Sequence, residues 1–401
     1  MPQLATDLIE IENQRLAVTT PSAIRKFDQE ISDIPEIIKL TLGEPDLNTP
    51  EHVKQAAIHS IENNESHYGR QAGNLQLCKA ISAYLKRKQE LVYNPNSEII
   101  ITVGATEAIA TAIISLFNPG DEVIVPTPIF ALYFSLLQLF GITAVTINTA
   151  DDDYLLTPEA LKRTLKRHPQ AKGIILNYPN NPTGREYPPK LIKQLGSLLA
   201  SQQLYVISDE IYSELLYKAQ KHYSIARVIP ERTILINGLS KSHAMTGYRI
   251  GYLAGPQAII KKMTTTHALL VTTVANTTQA AATEALSPAG DLDPQAAVKI
   301  YTERQQVLSD GLTKLGLKVI PPEGAFYLFV KIPEKYQTDD KYFAKLLATK
   351  ARVGCIPGSA FGPGGEGHIR FSYAASLTDI EKAINRIAQF LNNGGTKHER
   401  L

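Results

Sequence analysis

The stretch KGIILNYPNNPTG, residues 172–184, is followed along the chain by LYVISDEIY, residues 204–212. Each stretch carries a run of apolar residues and ends in residues typical of turns, and a helical pattern lies between the two. Continuous apolar runs of this length suit strands that are buried on both faces, as in a mostly parallel sheet covered by helices. The two stretches therefore predict a strand–helix–strand unit of an α/β fold.

The same alternation of short apolar runs and helical patterns extends from about residue 98 to residue 256. The runs are rich in isoleucine and valine, and most of them end in Gly, Pro, Asn or Asp. Besides the two stretches above they read EIIITVGA, DEVIVPTP, ITAVTINT, RTILINGLSK and RIGYLAGP. We therefore expect one large sheet, most of whose strands are parallel.

The composition is that of an ordinary globular enzyme, with 401 residues of which 44% are hydrophobic and 20% are charged. A chain of this length is longer than a single hydrophobic core usually supports, so two domains are expected. The 41 basic and 39 acidic residues give a formal net charge of +2. This balance offers no electrostatic reason to expect a nucleic-acid or a membrane partner.

The cysteines and histidines give no indication of a disulfide framework or a metal site. Cys78 and Cys355 are the two cysteines, and the nine histidines form no His-Glu-x-x-His pattern. The N-terminus, MPQLATDLIEIENQRL, has acidic residues where a signal peptide would have an apolar run. No stretch reaches membrane-spanning length without charges or breaks. A cytoplasmic protein without a metal is the expectation.

Four predicted strand ends could carry chemistry, because ligands of α/β sheets bind beyond the carboxyl ends of the strands. The first ends at 104–106, Gly-Ala-Thr, before a helix expected to start at Glu107. Small residues at a helix N-terminus leave N–H groups free for a phosphate, although an ordinary tight turn has the same pattern. Another strand ends on Asp209, which is costly to bury unless it meets a cation; an exposed helix cap is the alternative.

The two remaining strand ends are at 181–184, Asn-Pro-Thr-Gly, and at Lys241. The first is a good turn sequence, which does not exclude a ligand contact. Most lysines are solvated, but a lysine held in a partly desolvated site loses proton affinity and becomes a nucleophilic amine. Arg249 could anchor a phosphate nearby. If these ends converge, one ligand with an aldehyde, a phosphate and a basic nitrogen satisfies them, and pyridoxal phosphate has all three groups.

The chain resembles the class I aminotransferases of the pyridoxal-phosphate fold type I superfamily from about residue 20 to residue 392. The resemblance rests on motifs that occur in the family's order: LTLGEPDLNTP, HYGRQAGNLQL, TVGATEAI, PTPIFALY, NYPNNPTG, SDEIY, SKSHAMTGYRIGY and HIRFSYA. It implies a seven-stranded cofactor domain, a smaller α+β domain built from both chain ends, and a homodimer with shared active sites. The expected divisions are an N-terminal segment 1–45 that joins the small domain, a large domain 46–287 and a small domain 288–401.

The resemblance also implies a role for each matching residue around the cofactor ring. Lys241 matches the lysine that forms a Schiff base with the cofactor, and Asp209 matches the partner of the pyridine nitrogen. Phe130 matches the aromatic residue that stacks on the ring. The residues that match contacts to the phenolic oxygen are Asn181 and Tyr212.

The phosphate and the substrate have matching residues as well. The phosphate cradle is matched by Gly104, Ala105, Thr106 and Arg249. Tyr68 matches a tyrosine that reaches the phosphate from the other subunit. Some members carry a serine where this chain has Gly238, and Ser240 is a candidate to replace its contact. The residues that match contacts to the substrate α-carboxylate are Arg370, through its guanidinium, and Gly43, through its backbone; Phe130 and Asn181 also border the expected substrate position.

The function implied is transfer of an amino group from an L-amino acid to 2-oxoglutarate in a ping-pong reaction through Lys241. The SKSHAMTG form, together with SAIRKF near the N-terminus, is similar to enzymes that act on aromatic amino acids or N-acetyl-diaminopimelate. We find no counterpart in the sequence for the second arginine of dicarboxylate-specific relatives. A carbon–sulfur β-lyase on the same fold is the alternative. A cofactor-sensing regulator is disfavoured, because too few residues precede GEPD for a DNA-binding domain.

Overall fold

The structure is a computed structural model that describes residues 5, 13–19, 23–217, 221–336 and 338–393. Its strands in chain order are β1 (Ile38–Lys39), β2 (Ile99–Thr102), β3 (Glu122–Thr127), β4 (Thr143–Asn148), β5 (Gly173–Asn177), β6 (Tyr205–Asp209), β7 (Thr233–Gly238), β8 (Gly251–Ala254), β9 (Lys318–Ile320), β10 (Tyr327–Lys331), β11 (Val353–Gly354), β12 (Ile356–Pro357) and β13 (His368–Ser372).

The helices cover both faces of the large sheet and pack around the smaller one. They are α1 (Gln14–Val18), α2 (Ala23–Glu30), α3 (Glu51–Glu62), α4 (Leu75–Gln89), α5 (Gly104–Leu116), α6 (Leu132–Leu139), α7 (Pro158–Arg167), α8 (Pro189–Ala200), α9 (Gln257–Val271), α10 (Asn276–Ala285), α11 (Asp293–Lys314), α12 (Asp340–Leu346) and α13 (Leu377–Asn392).

The predicted large sheet is confirmed, with seven strands in the order β2-β8-β7-β6-β5-β3-β4. Pairs from β7 through β4 are parallel, and β8 runs antiparallel to both of its neighbours. Each apolar run of the sequence analysis between residues 98 and 256 contains one of these strands. The α/β prediction therefore holds for strand number, strand position and direction.

Burial on both faces explains why these strands are continuously apolar. In β2, Ile99 and Ile101 belong to one cluster of buried side chains, whereas Ile100 belongs to a second cluster on the opposite face. Alternate residues of a strand point to opposite faces, so a strand covered on both sides needs apolar residues at every position. The alternation of residues in β2 between the two clusters shows this directly.

The smaller sheet is antiparallel, in the order β12-β13-β10-β9. Beside it, β1 from the N-terminal part of the chain pairs in parallel with β11 from the C-terminal part, with Ile38 opposite Val353. Both chain ends thus contribute to this part of the molecule. The exact residues at which the sequence divides into domains stay a prediction.

The C-terminal helix α13 begins at the sequence SLTD, residues 376–379, whose Ser and Asp spacing is typical of a capped helix start. The Ser376 hydroxyl accepts a hydrogen bond from the Asp379 backbone N–H at 3.1 Å, which caps the first turn. Ile380 and Ile387 are fully buried on the inner face of this helix. The short strands β1, β9, β11 and β12 were not predicted, because runs of two or three residues carry no detectable periodicity.

One predicted helix start was wrong by three residues. Helix α5 begins at Gly104, with Val103 as its cap residue, and not at Glu107. The Gly-Ala-Thr turn therefore forms the first turn of the helix itself, where backbone N–H groups have no intrahelical acceptor. None of the helices in the described ranges is both long and apolar enough to span a lipid bilayer.

Candidate active site

A cavity of about 850 Å³ opens at the carboxyl ends of β5, β6 and β7. Most residues that the sequence analysis selected line it, although they come from segments far apart in the chain. They are Gly43, Ala105, Thr106, Phe130, Asn181, Asp209, Tyr212, Ser240, Lys241, Arg249 and Arg370. The predicted convergence of the four strand ends is therefore observed.

Lys241 lies just beyond β7, and its side chain extends into this cavity. Its Nζ donates a hydrogen bond to the backbone carbonyl of Gly43 at 2.5 Å. Burial lowers the pKa of the Lys241 amine to about 8, and the nearby guanidinium groups of Arg249 and Arg370 act in the same direction against the carboxylate of Glu44. An appreciable fraction of this amine is thus unprotonated near neutral pH, which is what a nucleophile or a general base requires.

Asp209, the last residue of β6, is buried and faces the same cavity. Its Oδ2 accepts a hydrogen bond from the Tyr133 hydroxyl at 2.6 Å, and its Oδ1 accepts one from the Ile211 backbone N–H at 3.2 Å. Burial raises the pKa of the Asp209 carboxyl to about 6, although both hydrogen bonds favour the charged form. A carboxylate in such a place is suited to pair with a cationic group of a ligand.

The first turn of α5 faces the cavity beside Arg249. Gly104 adopts a left-handed conformation with φ of +74°, and a Cβ at this position would come within 2.5 Å of Arg249 Nη2. Only glycine allows this close approach of backbone and guanidinium without strain. The free N–H groups of the helix N-terminus and the positive guanidinium together form a site suited to a phosphate.

Arg370, in β13 of the smaller sheet, is 1% exposed. Its Nη1 donates to Asn181 Oδ1 at 2.9 Å and its Nη2 donates to the Thr41 carbonyl at 2.6 Å, both of which are neutral groups. Its Nε has no hydrogen-bond partner among the residues the structure describes. A buried guanidinium that meets only neutral acceptors is costly, so the arrangement is suited to an anionic ligand that completes it.

The strand ends are tied to one another by side-chain amides and hydroxyls. Asn177 Nδ2 donates to the carbonyl of Asp209 at 3.2 Å, and Asn177 Oδ1 accepts from the Asn181 backbone N–H at 3.1 Å. The hydroxyls of Tyr212 and Tyr327 lie 2.7 Å apart. The two contacts of Asn177 fix the segments that carry Asp209 and Asn181 relative to each other.

Sequence reasoning missed several residues of the cavity wall. Tyr133 lies three residues after Phe130, and its position on the next turn of the same segment is a signal that could have found it. Asn177 lies at the end of its strand, in the NYPNNPTG motif. Tyr327 is one apolar-strand residue among many, and no pattern distinguishes it. Helix α2, which begins at the Ala of the SAIRKF sequence, adds Ile24, Arg25 and Asp28.

Two selected residues lie outside the cavity of their own chain. Gly104 opens the first turn of α5 and is not part of the cavity wall, but its backbone lies against the Arg249 guanidinium. Tyr68 is 87% exposed and contributes nothing to the wall of the cavity. The predicted role of Tyr68 needs a second subunit, so it stays a prediction.

A comparison with known protein families agrees with the fold and with the geometry of the cavity. Residues 35–387 match the family described as aminotransferase class I and II, so the chain belongs to this family of pyridoxal-phosphate-dependent aminotransferases. The match covers every strand from β1 to β13 and all of the cavity-lining residues except those of α2.

Individual relatives of the chain carry different substrate names. A probable N-acetyl-LL-diaminopimelate aminotransferase of Bacillus subtilis (strain 168) is 40% identical over 370 residues, 92% of this chain and 93% of that protein. An aspartate aminotransferase of Pyrococcus abyssi is 35% identical over 383 residues, 94% of this chain and 98% of that protein. The crystal structure of an aromatic aminotransferase from Pyrococcus horikoshii OT3 superimposes with a TM-score of 0.86 at 34% identity, covering 92% of this chain and 99% of that one.

Proposed function

We propose that this protein binds pyridoxal phosphate and transfers the amino group of an L-amino acid to 2-oxoglutarate in a ping-pong reaction through Lys241. The observation that carries the proposal is the presence of three groups in one cavity. These groups are the amine of Lys241 with its lowered pKa, the buried carboxylate of Asp209 and the guanidinium of Arg370.

The residues of the cavity fit the three functional parts of pyridoxal phosphate. The phosphate would be held by the first turn of α5 and by Arg249, where a Cβ on Gly104 would crowd the guanidinium. The pyridine nitrogen would face Asp209, and Lys241 would meet the aldehyde. The remaining contacts to the ring and the phosphate would come from Phe130, Asn181, Tyr212 and Ser240.

When bound, the cofactor supplies an aldehyde that takes up the amino group and a protonated ring that accepts the electrons left on the substrate Cα. Asp209 keeps the ring nitrogen protonated, because its carboxylate is stabilised by the hydrogen bonds from Tyr133 and Ile211. Lys241 Nζ would remove the proton from the substrate Cα as a general base and would deliver it, as a general acid, to the carbon of the cofactor's aldehyde group. The burial that lowers the pKa of Lys241 keeps this amine available near neutral pH.

The substrate would be oriented from the smaller sheet. Arg370 binds the α-carboxylate through its planar guanidinium, and Asn181, which already accepts from Arg370 Nη1, holds that guanidinium in place. The backbone of Gly43 lies on the same side of the cavity, within reach of Lys241 Nζ. Binding of the α-carboxylate fixes the direction of the Cα–H bond relative to Lys241. The proton transfer then starts from a prearranged geometry and not from an encounter in solution.

The donor we favour is an aromatic amino acid or an N-acetyl-diaminopimelate-like amino acid. The support is the resemblance of the SKSHAMTG and SAIRKF segments to such enzymes, together with relatives whose names include these substrates. Helix α2 brings Ile24 and Arg25 to the cavity wall, so the distal part of a donor side chain would meet an apolar and a cationic residue.

A donor screen tests the proposal. The purified protein, loaded with pyridoxal phosphate, is given 2-oxoglutarate and phenylalanine, tyrosine, aspartate or N-acetyl-diaminopimelate, and glutamate formation is measured. We expect turnover with the aromatic or acetylated donors to exceed turnover with aspartate. Pyruvate released from cystathionine without any 2-oxoglutarate would instead identify a carbon–sulfur β-lyase, and the absence of glutamate with every donor would contradict the proposal.

We also propose that the protein is a homodimer whose Tyr68 completes the phosphate site of the partner subunit. Tyr68 is 87% exposed and Leu269, near the end of α9, is 84% exposed, which leaves large apolar side chains on the surface of a single chain. Sedimentation velocity of the holoenzyme gives the oligomeric state. A monomer with full activity would contradict the shared site.

Replacing Tyr133 with phenylalanine is expected to shift the acid limb of the pH profile of kcat/KM to higher pH. The tyrosine hydroxyl stabilises the ionised form of Asp209, so its removal raises the pKa of this carboxyl, which burial raises to about 6 in the protein alone and which the cationic ring nitrogen would lower in the holoenzyme. A hydrogen bond to a charged group is worth about 1.5–3 kcal/mol, which corresponds to about one to two pH units. The reaction needs the carboxylate, so activity is lost more severely at pH 6 than at pH 8.

The matched control for this prediction is Tyr252→Phe. Tyr252 is equally buried, and its hydroxyl has no hydrogen-bond partner among the residues the structure describes. We expect its pH profile to match that of the unmodified enzyme. An unchanged acid limb in Tyr133→Phe would show that Tyr133 does not tune Asp209.

A further inference from the structure

A cluster of buried ionisable side chains lies beside the cavity but contributes nothing to its wall. His222 Nδ1 lies 2.9 Å from Glu186 Oε1, and His222 Nε2 lies 2.8 Å from Glu210 Oε2. The histidine side chain is 3% exposed, and the two glutamates are 2% and 0% exposed. One imidazole ring thus bridges two carboxylates that water does not reach.

The cluster contains a positive charge held between two carboxylates. Burial by itself lowers the pKa of the His222 imidazole, but the two carboxylates outweigh this effect and raise the pKa to about 10. The raised pKa of His222 favours the doubly protonated ring, which can donate to one glutamate from each nitrogen, while burial also raises the pKa of the Glu186 carboxyl. Glu210 Oε1 also accepts hydrogen bonds from Ser208 and Ser224 at 2.7 and 2.6 Å, which fixes its orientation.

The carboxylate of Glu210 belongs to the strand end that carries Asp209. Glu210 follows Asp209 directly, and alternation along the strand directs the two side chains to opposite sides of the sheet. Asp209 faces the cavity, whereas Glu210 faces His222. The position of the cavity carboxylate therefore depends on how firmly its neighbour is held.

The carboxylate of Glu186 belongs to the loop that carries Asn181. This loop begins at Tyr178, whose hydroxyl donates to Glu210 Oε1 at 3.4 Å and accepts from the Ile225 N–H at 2.8 Å. The loop returns at Glu186, which binds His222. Asn181 lies between these two attachment points and holds Arg370 Nη1.

We propose that His222 is a positioning residue that clamps the Asp209 strand end to the Asn181 loop and so holds the two sides of the active site in register. The proposal rests on the proposed function for its catalytic consequence. The structural part stands separately: the imidazole ring of His222 is hydrogen-bonded to both segments on the side away from the cavity, next to the weaker Tyr178–Glu210 contact.

Hydrogen exchange measured by mass spectrometry tests the clamp in the His222→Gln holoenzyme. Glutamine cannot supply a cation that donates to both carboxylates, so the peptides covering 178–186 and 205–212 are expected to exchange at least about tenfold faster than in the unmodified protein. A shift of about 1 Å at reacting groups can cost about 10²-fold, so kcat/KM is expected to fall by about that factor.

Two further variants separate a clamp from a general loss of stability. Leu199→Ala removes a fully buried side chain from α8 and lowers Tm, but it is expected to leave exchange in 178–186 and kcat/KM close to those of the unmodified enzyme. Glu186→Met keeps the pair between His222 and Glu210 and cuts only the loop side. It is expected to accelerate exchange in 178–186 and not in 205–212, and it serves as the test should His222→Gln fail to fold.

The proposal is overturned if His222→Gln leaves exchange in 178–186 unchanged, or if Leu199→Ala accelerates it equally. The proposal is also overturned if Glu186→Met accelerates hydrogen exchange equally in 178–186 and 205–212. Exchange is measured with and without pyridoxal phosphate, independently of turnover. If the variants show the expected exchange but the unmodified protein forms no glutamate with any donor, the positioning role of His222 stands and the proposed function is refuted.

Discussion

Replacing Lys241 with alanine is expected to lower kcat at least about 10⁴-fold. In the proposed reaction this amine is the nucleophile that receives the cofactor and the base that moves the Cα proton, and a positioned acid–base group alone contributes about 10²- to 10⁴-fold. The measurement is the steady-state rate of glutamate formation with the best donor from the screen. Cofactor binding is expected to weaken in the same variant.

Unfolding does not explain such a loss. The pKa of Lys241 is lowered to about 8 because burial disfavours its charged form, so removal of the amine relieves this cost and Tm is expected to stay constant or rise. Lys262→Ala, an exposed lysine in α9, is the matched control and is expected to retain full activity. A Lys241→Ala enzyme within tenfold of the unmodified rate would refute the assignment.

Replacing Arg370 with alanine is expected to lower kcat/KM between about 30-fold and about 3,000-fold, mostly through a higher KM for both the amino donor and the keto acid. Truncating one partner of a buried, hydrogen-bonded charge pair costs about 2–5 kcal/mol, and about 1.4 kcal/mol corresponds to each factor of ten. Every amino acid and keto acid carries the carboxylate concerned, so the loss is expected to be similar for all donors.

Arg370→Lys separates geometry from charge. Lysine keeps the positive charge but loses the planar pair of donors, so we expect activity between that of the alanine variant and that of the unmodified enzyme. Titration with 3-phenylpropionate, a carboxylic acid without an amino group, reports binding apart from chemistry. Arg163→Ala, at an exposed position of α7, is the control. Unchanged affinity for the carboxylate in Arg370→Ala would remove this arginine from the substrate site.

The features predicted from the sequence are those that depend on local patterns. Seven apolar runs predicted the seven strands of the large sheet, because a strand covered on both faces must be apolar throughout. The rule that ligands bind beyond strand ends then pointed to Asp209 and Lys241, which the structure brings to one cavity. The resemblance added residues such as Arg370, for which no local signal exists.

The features that were missed depend on contacts between distant segments. Tyr133 acquires its importance only from its hydrogen bond to Asp209, and His222 only from two glutamates on different segments. The sequence places His222 in an unremarkable stretch, where an exposed histidine would look the same. Arg25 likewise lines the cavity because of how α2 packs. The sequence motifs contain no second arginine, so they gave no indication that Arg25 would be part of the cavity wall.

The proposed reaction requires that one particular lysine, Lys241, receives the cofactor. Reducing the holoenzyme with borohydride, digesting it and weighing the peptides tests this claim directly. We expect the cofactor mass on the peptide that contains Lys241, and we expect no labelled peptide from Lys241→Ala. A label on another lysine, or a fully loaded enzyme in which no lysine is labelled, would contradict this assignment.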